Sequence, residues 1–134
     1  MNMTYKSILI VSMVLILSGI LLSSCASART PADVIVEYLE ALAEKDQTSA
    51  VANSCAAWEE KALAEGASFI NVEVRLENLE CQVLNQSDSE ASVSCSGSFI
   101  SSYAAGEDQE LNLDALVFSL TLESGDWRMC GYQR

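Results

Sequence analysis

The chain has 134 residues, 50% of them hydrophobic, and 19 acidic side chains against 7 basic ones give it a formal net charge of −12. So acidic a balance repels phosphate backbones and argues against nucleic acid as a partner. The sequence contains no histidine, which excludes Ser-His-Asp and Cys-His nucleophilic chemistry and removes the commonest zinc ligand.

Residues 1–6 carry one positive charge, at Lys6, and residues 7–22 are almost wholly apolar. That run is short for a bilayer-spanning helix, which needs about 20 residues, and suits the hydrophobic region of a secretory signal. It ends in Leu22-Ser23-Ser24-Cys25, which resembles the lipobox of bacterial lipoproteins: a branched aliphatic, two small residues and the cysteine that becomes the new N-terminus. The resemblance implies a signal peptide over 1–24, removal of that segment, and acylation of Cys25 with palmitate-type chains. It places the protein in the bacterial cell envelope, on the outer face of the plasma membrane or in the outer membrane, with the bilayer as a partner. Ala26, where an aspartate can favour inner-membrane retention, leaves both membranes open. Cleavage leaves 110 residues with a net charge of −13, enough for one domain. Residues 25–30 then form a short tether.

Thr30-Pro31-Ala32-Asp33 reads as a helix start, with Thr30 as N-cap, Pro31 at the first helical position and Asp33 near the positive end of the dipole. Val34, Ile35, Tyr38, Leu39 and Leu42 recur at helical spacing, with Glu37, Glu40 and Glu44 on a solvated face. A second helix is expected from Asp46–Thr48 to Gly66, with Val51, Cys55, Trp58 and Ala62 turned inward. From Phe69 the period becomes two, and its parity changes near Glu77-Asn78, as a β-bulge would make it. With the hairpin centred on Asp88, opposed residue numbers add to 176, so Cys81 faces Cys95 and Val83 faces Val93.

Four cysteines follow Cys25, and two disulfides suit an exported small domain. Opposition in the hairpin pairs Cys81 with Cys95 and leaves Cys55 for Cys130. No CxxC occurs, so neither a redox motif nor a zinc knuckle is indicated. Beyond the turn "AAGEDQ", Leu111 and Leu113 share a face, and Phe118, Leu120 and Leu122 mark another strand. A two-residue turn at Ser124-Gly125 sets Leu122 against Trp127 and Leu120 against Met129. The expected class is α+β: two N-terminal helices packed on a curved antiparallel sheet of about four strands.

This order is similar to the nuclear transport factor 2-like superfamily, the cystatin-like α+β cone. "TPADVIVEYLEALAEKD" resembles its opening helix and "VFSLTLESGDWRMCGY" its closing hairpin, so that residues 31–134 are taken as one such domain. The resemblance implies a conical pocket, with Tyr38, Trp58, Phe99, Phe118 and Trp127 as candidate walls. Dimerisation through the sheet is common in the superfamily. Its enzymes isomerise or cyclise ketones with a pocket acid and a tyrosine. Tyr103 with Asp114 is the first such pair to test, but both read as belonging to turns or polar faces. The expectation is therefore a non-catalytic module, without cofactor, that binds a small apolar ligand or an envelope protein. A ketone isomerase or cyclase using tyrosine and carboxylate is the alternative. "DQELNLD" spaces Asp108, Glu110, Asn112 and Asp114 like calcium ligands, but Leu113 stands where an EF-hand needs glycine, and no metal site is expected.

Overall fold

A computed structural model describes residues 28–134; the expected signal segment and Cys25 lie outside the described residues. Among the described residues no helix is long and apolar enough to cross a membrane. Three helices precede five strands: α1 (Pro31–Glu44), α2 (Gln47–Ala52), α3 (Glu59–Ser68), β1 (Glu73–Gln86), β2 (Glu90–Ser102), β3 (Gln109–Asn112), β4 (Val117–Glu123) and β5 (Asp126–Gln133).

Helix α1 starts where the sequence places it. Thr30 and Asp33 close a capping box: the Asp33 amide donates to Thr30 Oγ1 at 3.2 Å, and the Thr30 amide to Asp33 Oδ2 at 2.8 Å. The Thr30 hydroxyl and backbone bonds hold the Asp33 carboxyl below its ordinary range. Val34, Ile35, Tyr38, Leu39 and Leu42 are all buried against the sheet.

The expected second helix is two helices. Between α2 and α3 the chain leaves helical geometry to pair with β5: Met129 N donates to Asn53 O and Cys55 N to Met129 O, both at 2.8 Å. Ser54 thus forms a parallel bridge with Met129, a contact no helix interior offers. Gly66 does not terminate α3, which continues to Ser68; a Cβ there would lie 3.0 Å from Gln47 Cγ. Its role is close packing of α3 on α2. The following strand starts at Glu73 rather than Phe69, because residues 69–71 complete the turn out of α3.

All five strands are antiparallel. β2 pairs with β1 along one edge and with β3 and then β4 along the other, and β4 pairs with β5. Over Glu80–Val83 the β1–β2 register matches expectation, with Cys81 opposite Cys95 and Val83 opposite Val93; toward the turn it slips by one between Val83 and Asn85, so that Asn85 meets Ser92 and Gln86 meets Ala91. The bulge lies between Glu77 and Glu80, where Asn78 (φ 53°) faces Gly97 (φ 103°). The four-residue strand β3, and the 3-10 turn Leu113–Ala115 after it, put Leu113 in the core although it does not continue a strand. Ser124 and Gly125 both have positive φ, and Leu122 meets Trp127 and Leu120 meets Met129 as read.

Both disulfides form as paired: Cys81–Cys95 closes 14 residues and Cys55–Cys130 closes 75. Loop-closure arguments give them about 3 and 4–5 kcal/mol, large beside a typical domain stability of about 5–15 kcal/mol.

The two hairpin glycines give a paired test. A Cβ on Gly97 would lie 2.4 Å from the Glu77 carbonyl oxygen, whereas one on Gly125 meets nothing within 4 Å, although both have positive φ. G125A is expected to cost about 1 kcal/mol in urea unfolding and G97A at least about 2 kcal/mol more. Equal costs would place the bulge elsewhere.

Candidate functional site

The helices and the curved sheet line a partly open cavity of about 100 Å³. Helix α1 contributes Tyr38, Leu39 and Leu42 to it; Phe99 comes from β2, Leu111 from β3 and Phe118 from β4. Leu113, Leu116, Glu65, Phe69 and Tyr132 complete its lining. Among the described residues, no lysine or arginine lines it. The lining is apolar apart from one polar group.

That group is Glu65 between two phenols. Tyr38 donates its hydroxyl proton to Glu65 Oε2 at 2.6 Å, and Tyr132 donates to Oε1 at 2.9 Å. Trp58 donates its indole N–H to Tyr38 Oη at 3.3 Å, so the Tyr38 hydroxyl is oriented from both sides. Tyr38 is fully buried, Glu65 is half-buried, and Tyr132 remains 43% exposed at the mouth. Burial, and then the Glu65 carboxylate, push the Tyr38 phenol far above its ordinary value. The same causes push Tyr132 up to about 12, with Arg134 opposing. Both hydroxyls are therefore neutral donors at physiological pH.

Local structure explains how these four side chains meet. Glu65 lies one turn beyond Ala62 and beside Gly66, both buried, on the inward face of α3. Tyr132 reaches the cavity because β5 is bulged. Leu120 pairs with Met129 but Ser119 pairs with Gly131, so Cys130 has no residue opposite it. The extra residue shifts the alternation, and Tyr132 joins Met129 on the inner face, 5.8 Å from the Phe118 ring. Gly131 (φ 140°) permits this, since a Cβ there would sit 3.3 Å from the Trp58 ring.

Of the five expected wall residues, Tyr38, Phe99 and Phe118 line the cavity. Trp58 does not; it packs edge-on against Tyr132 and holds the Tyr38 hydroxyl, while Lys61 Nζ covers its ring at 4.5 Å from the centroid. Trp127 packs on the core outside the cavity. Tyr103 and Asp114 do not line the cavity either, and Tyr103 is exposed. Asp108 is engaged by Arg75 at 2.9 Å and Ser102 at 2.7 Å, Glu110 by Ser98, and the Asn112 side chain caps the Asp114 amide. The Cys55, Cys130 and Glu123 cluster is built on the disulfide sulfurs and offers no thiolate to a metal.

Sequence reasoning missed Glu65 and Tyr132. Glu65 was visible in the spacing Ala62, Glu65, Gly66, which sets a carboxylate on an apolar helix face. Tyr132 carried no such signal, since simple alternation from Trp127 and Met129 turns it outward.

No protein-family model matches the chain, and no curated protein matches it. Solved structures do. A ketosteroid isomerase-like protein from Erwinia carotovora atroseptica aligns with a TM-score of 0.57 at 18% identity, over 74% of this chain and 87% of that one. A candidate polyketide cyclase from Pseudomonas putida aligns at 0.53 and 13% identity, covering 80% and 93%. A candidate scytalone dehydratase from Novosphingobium aromaticivorans aligns at 0.50 and 14% identity, covering 72% and 74%. The architecture is thus the α+β cone of the nuclear transport factor 2-like and ketosteroid isomerase-like folds.

The expectation of a non-catalytic chain is corrected here. The structures sharing its fold are described as isomerase-like, cyclase and dehydratase proteins. The cavity also holds the carboxylate and phenols that the sequence reading did not locate. At such identities the likeness speaks for the fold, and the chemistry must be argued from this chain's residues.

Two tyrosines should titrate late. Phenolate absorbance against pH is expected to show Tyr132 ionising at about 12 and Tyr38 later still, and Y132F should remove the earlier step. Because the folded-state value lies above the unfolded one, near 10, the stabilisation is complete below about pH 10. It is lost as pH rises through about 12, so unfolding free energy should decline over that window, less steeply in Y132F.

Proposed function

We propose that this is a lipid-anchored envelope protein whose cone carries out acid–base chemistry on small, uncharged carbonyl compounds. The observation that carries the proposal is the Glu65 carboxylate held between the Tyr38 and Tyr132 hydroxyls at the polar edge of an apolar cavity. Cys25 supplies the anchor in this reading, and its acyl chains hold the domain at the outer face of the membrane.

Tyr38 gives up its bond to Glu65 and donates to the carbonyl oxygen of a bound ketone, while Trp58 keeps its hydroxyl oriented. Glu65, relieved of a donor, removes a proton from the carbon next to the carbonyl. The Tyr38 phenol, with its raised ionisation, stays protonated and stabilises the enolate by hydrogen bonding. Return of the proton to the same carbon completes an exchange, and in a β,γ-unsaturated ketone its return to the γ carbon completes an isomerisation.

Substrate class follows from charge and size. The domain is strongly acidic and among the described residues no cation lines the cavity, so carboxylate and phosphate substrates are disfavoured. An apolar cavity of roughly 150 Å³ holds benzene, so 100 Å³ admits a group of about four heavy atoms. A longer substrate would extend past Tyr132 at the mouth.

Deuterium uptake beside the carbonyl of butanone, followed by NMR, tests the chemistry. The protein should accelerate it; E65Q should reduce the acceleration about 100-fold or more and Y38F about 10-fold or more. Equal rates for the protein and E65Q would refute the proposal. Independently, labelled fatty acid should attach to the wild-type chain and not to C25A, which should leave the membrane fraction.

A further inference from the structure

Trp58 and Tyr132, the two side chains that complete the Tyr38–Glu65 pair, each sit close in sequence to one half of the same disulfide. Trp58 follows Cys55 by three residues, and its amide donates to the Cys55 carbonyl at 2.8 Å. Tyr132 follows Cys130 by two residues. Cys130 is itself the unpaired residue of the bulge that turns Tyr132 inward. Cys55 is fully buried. The Cys130 Sγ accepts from the Thr121 hydroxyl at 3.4 Å.

We infer that the Cys55–Cys130 disulfide is a positioning element of the site, fixing the β5 bulge and the start of α3 so that Tyr132 and Trp58 are aimed at Glu65. This rests on the reading of the cone as the reactive site. The other disulfide, Cys81–Cys95, joins β1 to β2, and neither cysteine lines the cavity. A bulge residue held only by strand pairing can give way to the regular alternation, and that alternation would carry Tyr132 to the outer face. The covalent bond to the α2–α3 connection removes that alternative.

The test uses the full chain in detergent, with C55A/C130A, C81A/C95A and C55V/C130A; the last replaces the buried sulfur with an apolar group of similar size. The readout is the Tyr132 ionisation, assigned by its loss on Y132F in each background. It should fall from about 12 to about 10 when Cys55–Cys130 is removed, and remain when Cys81–Cys95 is removed. The Trp58 indole N–H resonance should move with it. The proposal is overturned if Tyr132 keeps its high value in folded C55A/C130A or C55V/C130A, or loses it equally in C81A/C95A. It is also overturned if both Cys55–Cys130 variants fail to fold, since the bond would then serve the whole domain. Failure of ketone exchange leaves this readout intact, so the two ideas fail separately.

Discussion

The attachment of the α2–α3 connection to β5 is the constraint on which the rest of the molecule depends. Residues 53–55 leave helical geometry and pair with Met129 through two backbone bonds, and the disulfide from Cys55 to Cys130 secures the same junction. Without it the helices would contact the sheet through side chains alone. With it, the helical layer and the last strand act as one piece, and α3 begins at a fixed point relative to β5. Glu65 and Tyr132, 67 positions apart, can then meet at hydrogen-bond distance.

The cone is packed unevenly. Val34, Ile35, Val93, Leu120 and Met129 are packed at essentially zero exposure. Beside them the aromatic rings of Tyr38, Phe99 and Phe118 line a gap instead of closing it. A carboxylate placed there is removed from most of the solvent but not from hydrogen bonds, because two phenols and an indole were folded beside it. Such a network is costly to leave half-satisfied, and among the described residues no buried side-chain polar atom lacks a partner.

Much of the frame was legible in the residues. The cap at Thr30 and the apolar spacing of α1 are local features, set by hydrogen bonding within one turn and by helical period. The hairpin register around the cysteines was legible from the turn near Asp88, which sets Cys81 against Cys95; the one-residue slip between Val83 and Asn85 left no mark in the alternation. The site was less legible. Tyr38, Phe99 and Phe118 were named as pocket walls through the family resemblance, but the pairing of Tyr38 with Glu65 was obscured by reading Gly66 as a helix end. Trp127 was misplaced because an inward aromatic can fill the core away from the cavity as readily as beside it.

The amino-acid sequence by itself determined the partners within the two hairpins, the two sulfur bridges and the absence of histidine, since these follow from periodicity, turn residues and composition. Only the tertiary structure decided that the second helix breaks at residues 53–58 and that β5 bulges at Cys130. Those departures pair distant segments with each other, and no local preference for helix or strand encodes them. They bring Glu65, Tyr38, Trp58 and Tyr132 to one point in the cone, which is the arrangement the proposed chemistry requires.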